Sequence, residues 1–171
     1  MCYNEIRDQI QGNIFKMIET NIEFQEEYKR LDALCKDIFS SKEGISEYIR
    51  EMESVPWNER RFISSWETDY KQLKHMRWVR NQLAHEVGTL NAELCNEEDI
   101  CWLTDFYRQI INLCDPLATL SKFKNEQTKR INQARVQEPV TVERHEPAQN
   151  HPKRDSFWNK ITAKIKKLFF G

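Results

Sequence analysis

Apolar residues return every three or four positions across most of residues 14–123, and that spacing leaves few folds open to the chain. The first run holds Ile14, Ile18, Ile22, Tyr28, Leu31, Leu34 and Ile38, with Gly12 marking a late start. Ser40 followed by Glu43 has capping-box spacing, which predicts a second helix carrying Ile45, Tyr48, Ile49 and Met52. Pro56 breaks it. A third helix is expected from Asn58, a good N-cap, through Phe62, Trp66, Tyr70, Leu73 and Met76 toward Val87, with Gly88 as its stop. A fourth follows Asn96, where Glu97, Glu98 and Asp99 suit the positive end of a helix dipole. Its stripe is Ile100, Leu103, Phe106, Tyr107, Ile110, Ile111 and Cys114; Pro116 is expected to kink or end it, and Leu117, Leu120 and Phe123 extend the pattern.

No alternating strand of useful length and no internal repeat interrupts this reading. The fold class predicted is therefore all-α: a bundle of four to five helices over residues 1–135 with a single core. A length of 171 residues suits one domain with a tail. Five Trp, five Tyr and nine Phe are enough to build the core, and with only four Gly and five Pro a collagen-like chain is excluded and a turn-dense β-sandwich disfavoured.

Beyond the bundle the composition changes. Pro139, Pro147 and Pro152 fall in a polar stretch that cannot bury enough surface to offset the entropy of ordering it, so residues 136–155 are expected to form a flexible linker. Residues 151–171 hold six Lys and Arg against Asp155 alone, a net +5, so the first 150 residues carry −6. Asp155 or Ser156 can cap a short helix over residues 156–171. At about 100° per residue, Phe157, Trp158, Ile161, Ile165, Leu168 and Phe169 share one arc, while Lys160, Lys164, Lys166 and Lys167 share the other; only Phe170 misfits. A basic amphipathic helix of this kind suits an anionic membrane surface, a groove on a protein partner, or its own bundle. It is too short to cross a membrane, and no stretch of 18 apolar residues exists elsewhere.

The five cysteines at 2, 35, 95, 101 and 114 are odd in number, include no CxxC pair and follow no signal peptide. They read as reduced thiols of a cytoplasmic protein, with a peripheral place at the inner membrane face through the last helix. No His/Glu pair has metal-ligand spacing and no Gly-rich loop could cradle a phosphate, so neither a metal nor another cofactor is expected. Cys95 and Cys101 lack a helper His nearby and read as idle thiols; His145 and His151 fall in the linker. Trp57, Trp66, Trp78 and Trp102 lie within helical patterns and read as core, with Trp78, beside Arg77 and Arg80, the one that suits base stacking.

One spacing carries chemistry. Arg80 is followed by Asn81 and, five positions on, by His85, all at the end of the long third helix. An Arg fork can grip a phosphate, and an imidazole exchanges protons near neutral pH. RNA cleavage by attack of the 2′-hydroxyl on the adjacent phosphate needs such a pair and no metal. Residues five apart on a helix lie about 140° apart and roughly 7.5 Å along the axis, so one copy converges poorly on one phosphate. The segment resembles the Arg-polar-x-x-x-His motif of the HEPN superfamily, with Arg80, Asn81 and His85 on the motif positions. That resemblance implies an all-α bundle, a metal-independent endoribonuclease or an RNA-binding module, a toxin–antitoxin or defence setting with an antitoxin or other protein partner, and a homodimer that assembles the site. The alternative is a non-catalytic adaptor that binds a protein or RNA and sits peripheral to a membrane. The acidic body weighs against a broad, non-specific RNA surface.

Overall fold

The computed structural model describes residues 3–85, 92–136 and residue 163. Over residues 3–136, among those described, six helices follow one another: α1 (Tyr3–Phe39), α2 (Ile45–Ser54), α3 (Trp57–Arg60), α4 (Trp66–His85), α5 (Glu97–Ile111) and α6 (Pro116–Val136). Five are ten residues or longer, and no strand occurs among the described residues, so the chain is an all-α helical bundle. The linker expected at residues 136–155 falls outside the described residues but for its first, Val136, the last of α6; of the C-terminal helix at 156–171 only Ala163 is described.

The 37-residue α1 is the axis of the bundle and packs against α2, α4 and α5. Its second half does this work. Asn21, Phe24, Tyr28, Leu31, Leu34, Cys35 and Ile38 are buried at intervals of three, four and one, a stripe about 140° wide. The stripe expected earlier along it is not core: Ile14 and Ile22 are about half exposed, and Phe15 beside them is more exposed still. The helical period is right, but the face that meets the bundle is set by Asn21 and Phe24, one or two residues out of phase with Ile22. Asn21 is tolerated because its amide donates to Ala92 O (3.1 Å) and its Oδ1 accepts from Cys95 Sγ (3.1 Å).

The other helices close over this stripe. Trp66, Leu73, Met76, Val79 and Leu83 of α4 and Ile100, Leu103, Phe106 and Ile110 of α5 complete one core with Ile45, Ile49 and Met52 of α2. Tyr48 meets Phe106 edge-on at 5.4 Å, and Trp102 stacks on Phe106 at 4.8 Å.

The helix ends differ from the sequence expectation in three places. Ser40 does not start α2. It closes α1 in the left-handed region (φ 52°), and the Ser41 N–H returns to Lys36 O at 3.2 Å. The α2 start is instead held by Asp32 of α1, whose Oδ1 accepts the Ile45 N–H at 2.9 Å. Asn58 lies inside the four-residue α3, whose N-cap is Pro56, and the chain turns through residues 61–65 before α4 begins at Trp66. Phe62 is therefore off the core, half exposed and stacked on Phe123 of α6 at 4.9 Å. Pro116 does not kink α5: Leu113 at φ 56° has already closed that helix, and Pro116 occupies the first turn of α6, where a missing N–H costs nothing. Asp115 caps α6, accepting from Leu117 N and Ala118 N at 3.2 Å each and from Tyr48 Oη at 2.5 Å. The α5 start is as expected, and its N-cap Asn96 forms a reciprocal capping box with Asp99.

Candidate functional site

The buried residues of α4 recur at intervals of three and four, from Trp66 to Leu83, so the rest of its circumference is solvent-facing. Arg80, Asn81 and His85 all lie on exposed positions, with His85 the last residue of the helix. Arg80 Nη1 donates to Asn81 Oδ1 at 3.2 Å. The neighbours thus make one polar unit.

That unit lines a cleft of about 230 Å³ where three segments meet. Helix α4 contributes Arg77, Arg80 and Asn81; α1 contributes Tyr28, Asp32 and Lys36. Lys42, Glu43 and Ser46 close it from the turn into α2. Four cations thus face two carboxylates, and both carboxylates already have partners. Asp32 accepts from Ile45 N and pairs with Lys36 at 2.7 Å; Glu43 pairs with Arg50. Among the described residues, no ion pair ties Lys42, Arg77 or Arg80. Burial holds the Tyr28 phenol well above its ordinary range; Asp32 adds to the rise, and the charges of Arg80 and Arg77 oppose it. Tyr28 is therefore a hydrogen-bond donor in the cleft wall and not a base. An anion entering the cleft would meet three uncommitted cations, two of them planar guanidinium forks.

The structure brings Arg80 and Asn81 together in this cleft and leaves His85 out of its lining. Their separation of five residues, about 140° around the axis, is the cause. Asn81 borders both faces: Lys74, Trp78, Asn81 and His85 fall at i, i+4, i+7 and i+11, a stripe adjoining the cleft, all on exposed positions.

Sequence reading missed the residues that surround Arg80. Tyr28, Asp32, Lys36 and Lys42 come from distant segments, and no local pattern marks them. A signal was present in α4 itself. From Tyr70 to His85 the chain has Lys71, Lys74, Arg77 and Arg80 and no carboxylate, although the chain as a whole is acidic. Cations three apart on a helix step about 60° round the axis, so this row winds over roughly 13 Å from the solvent face into the cleft.

The tryptophans divide. Trp66 is core and Trp102 is partly buried, but Trp57, expected as core, is 71% exposed, and Trp78, the one that suits base stacking, is 50% exposed. Trp78 stacks on His75 (6.1 Å between centroids, 21° between planes). His75 Nε2 lies 3.7 Å from Asp99 Oδ1, which also accepts from Gln72 Nε2 at 3.3 Å.

A second groove, about 600 Å³, runs between the first half of α1 and the start of α5, past Ile14, Met17, Cys95 and Glu98. Burial pushes the Cys95 thiol up to about 11, with Asp99 adding to it, so the thiolate needed of a nucleophile is disfavoured there. Among the described residues no three or more His, Cys, Asp or Glu side chains are grouped to hold a metal ion, and no helix is long and apolar enough to cross a membrane.

No curated protein and no solved structure matches the chain. A family model does, over residues 22–170, which takes in the whole cleft, the basic row of α4 and the last basic segment. The chain belongs to that family, a family of unknown function designated DUF6548.

Proposed function

We propose that the protein is a metal-independent endoribonuclease of the HEPN type. The observation that carries this reading is the cleft in which Arg80, already joined to Asn81, stands with Arg77 and Lys42 while both nearby carboxylates are paired to other cations, Asp32 to Lys36 and Glu43 to Arg50. Such a site favours a phosphodiester over a carboxylate-free neutral ligand because the charge it offers is unspent.

The chemistry follows from the residues. The 2′-oxygen attacks phosphorus, its proton passes to the His85 imidazole, and the bond to the 5′-oxygen breaks. The products are a 2′,3′-cyclic phosphate and a 5′-hydroxyl, and the proton returns to the leaving oxygen. Arg80 stabilises charge on the phosphorane, and Asn81 orients the phosphate. Since His85 is outside the lining of its own chain's cleft, the reading includes a homodimer in which two α4 helices build one composite site. The toxin or defence role, with an antitoxin or other protein partner, rests on the motif resemblance alone, and the cytoplasmic setting rests on the cysteine usage. The last basic segment, 156–171, is proposed to dock on an anionic membrane or a partner, which liposome flotation of the full chain against one ending at Asn150 tests.

The test is cleavage of a mixed RNA in EDTA by wild type, Arg80→Ala and His85→Ala, each with verified helicity. Wild type is expected to cleave, and each variant to lose on the order of a hundred-fold or more. Full activity of His85→Ala removes the imidazole from the mechanism, and inactivity of wild type as a dimer overturns the nuclease. In that event a non-catalytic adaptor is the reading left, favoured by the exposure of Trp57 and Phe62 beside α3.

A further inference from the structure

We propose that Trp78 is a nucleobase platform that sets the register of a single-stranded RNA against His85; the inference rests on the nuclease reading and adds to it a binding residue and a substrate form. Trp78 is half exposed, the one large hydrophobic side chain of α4 left in solvent, since Trp66, Leu73, Met76, Val79 and Leu83 are all buried. It is also held in place. One face is laid on the His75 ring at 6.1 Å and 21°, and His75 Nε2 lies 3.7 Å from Asp99 Oδ1 of α5. Asp99 is itself fixed, since it caps α5 by accepting the Asn96 N–H at 3.2 Å and accepts from Gln72. An indole backed in this way loses little rotamer freedom when a flat ligand lands on it.

What lands is indicated by the neighbours. Lys74 lies one turn before Trp78 on the same stripe, and Lys71 and Arg77 flank it, with no carboxylate between residues 70 and 85. A flat π-surface framed by cations is the combination that binds single-stranded nucleic acid, with the backbone on the cations and bases on the ring. Paired bases cannot offer a face to an indole on a convex helix, so the substrate form is unpaired RNA. Trp78 and His85 are seven residues apart, about 20° around the axis and roughly 10 Å along it. A base stacked on Trp78 therefore fixes which phosphodiester faces His85, and the cut falls at a constant offset from that base.

The experiment uses the full chain carrying His85→Ala, which holds RNA without cutting it, and two labelled single-stranded oligonucleotides, one ordinary and one abasic throughout. Fluorescence anisotropy measures binding of each before and after adding Trp78→Ala or Trp78→Phe. We expect Trp78→Ala to weaken the ordinary oligonucleotide about ten-fold, to leave the abasic one unchanged, and to be largely rescued by Phe. Unchanged binding of the ordinary oligonucleotide by Trp78→Ala overturns the platform, as does an equal loss for both oligonucleotides. If the His85→Ala chain binds neither, the platform and the nuclease reading fall together. If it binds both, with Trp78→Ala weakening only the ordinary oligonucleotide, but wild type fails to cleave in EDTA, the nuclease and the register fall and base stacking on Trp78 stands.

Discussion

Asp115 is a carboxylate that the fold buries on purpose, and its charge makes stability depend on pH in a direction opposite to the usual one. It is 3% exposed, caps α6 through two backbone N–H groups and accepts the Tyr48 hydroxyl at 2.5 Å. Burial pushes it up to about 6 from the ordinary 3.8, and the Tyr48 and backbone hydrogen bonds only partly oppose that rise. The folded state therefore holds the proton more tightly than the unfolded state does. Stability from this site is complete below the unfolded value, near 4, and is lost as pH rises to about 6. At 1.36 kcal/mol for each pH unit between the two values, the charged form costs about 3 kcal/mol at pH 8 and less than about 1 kcal/mol at pH 4. Asp115→Asn keeps a cap acceptor and cannot ionise. Urea denaturation of both proteins at pH 4 and pH 8 should show wild type gaining about 2 kcal/mol on the variant at the lower pH. Other carboxylates cancel in that difference. A difference that stays constant, or that moves the other way, would show that the cap and Tyr48 outweigh burial, and the argument would be refuted.

Other consequences follow from the same geometry. Gly44 sits at φ 48° where α1 and α2 approach, and a Cβ there would lie 2.7 Å from the Asp32 carbonyl oxygen, so Gly44→Ala should cost roughly 2 kcal/mol or more in thermal denaturation and should widen the cleft that Asp32 lines. Asn96→Ala removes the acceptor of the Asp99 N–H at 3.0 Å and should cost about 1 kcal/mol, read as a lowered urea midpoint at unchanged slope. Tyr48→Phe strands the Asp115 carboxylate with one partner fewer and should destabilise by about 1–3 kcal/mol at pH 8 but less at pH 4, seen in the same denaturation series.

The helical period was legible in the sequence, and so was the α5 start, because Asn96 and Asp99 satisfy each other locally with no help from the rest of the fold. What was not legible depended on contacts between distant residues. The face of α1 that is buried is chosen by what packs on it, and Asn21 can sit inside only because Ala92 and Cys95 arrive to bond it. Ser40 and Glu43 have the spacing of a cap, yet Asp32, thirteen residues before Ile45, supplies the bond. Around the candidate site the Arg80–Asn81 unit could be read from adjacent letters, whereas its cleft is assembled from α1, the turn into α2 and α4. The adjoining stripe, with Trp78 and His85 two turns apart, follows from helical geometry alone, but its support through His75 and Asp99 joins two helices and left no local mark.

The uneven burial of α1 has a dynamic counterpart. Residues 11–16 are solvent-exposed all round, whereas Phe24, Leu31 and Cys35 have no exposure at all. The helix is continuous across this change, so its amides share one geometry but not one opening cost. Near its start, a turn can unwind by giving up little beyond its own hydrogen bonds. From Asn21 onward, unwinding means exposing the core, and the amides there exchange only as fast as the bundle itself opens. A single helix thus spans the range from local fraying to global unfolding, with the boundary near the Lys16–Glu97 ion pair.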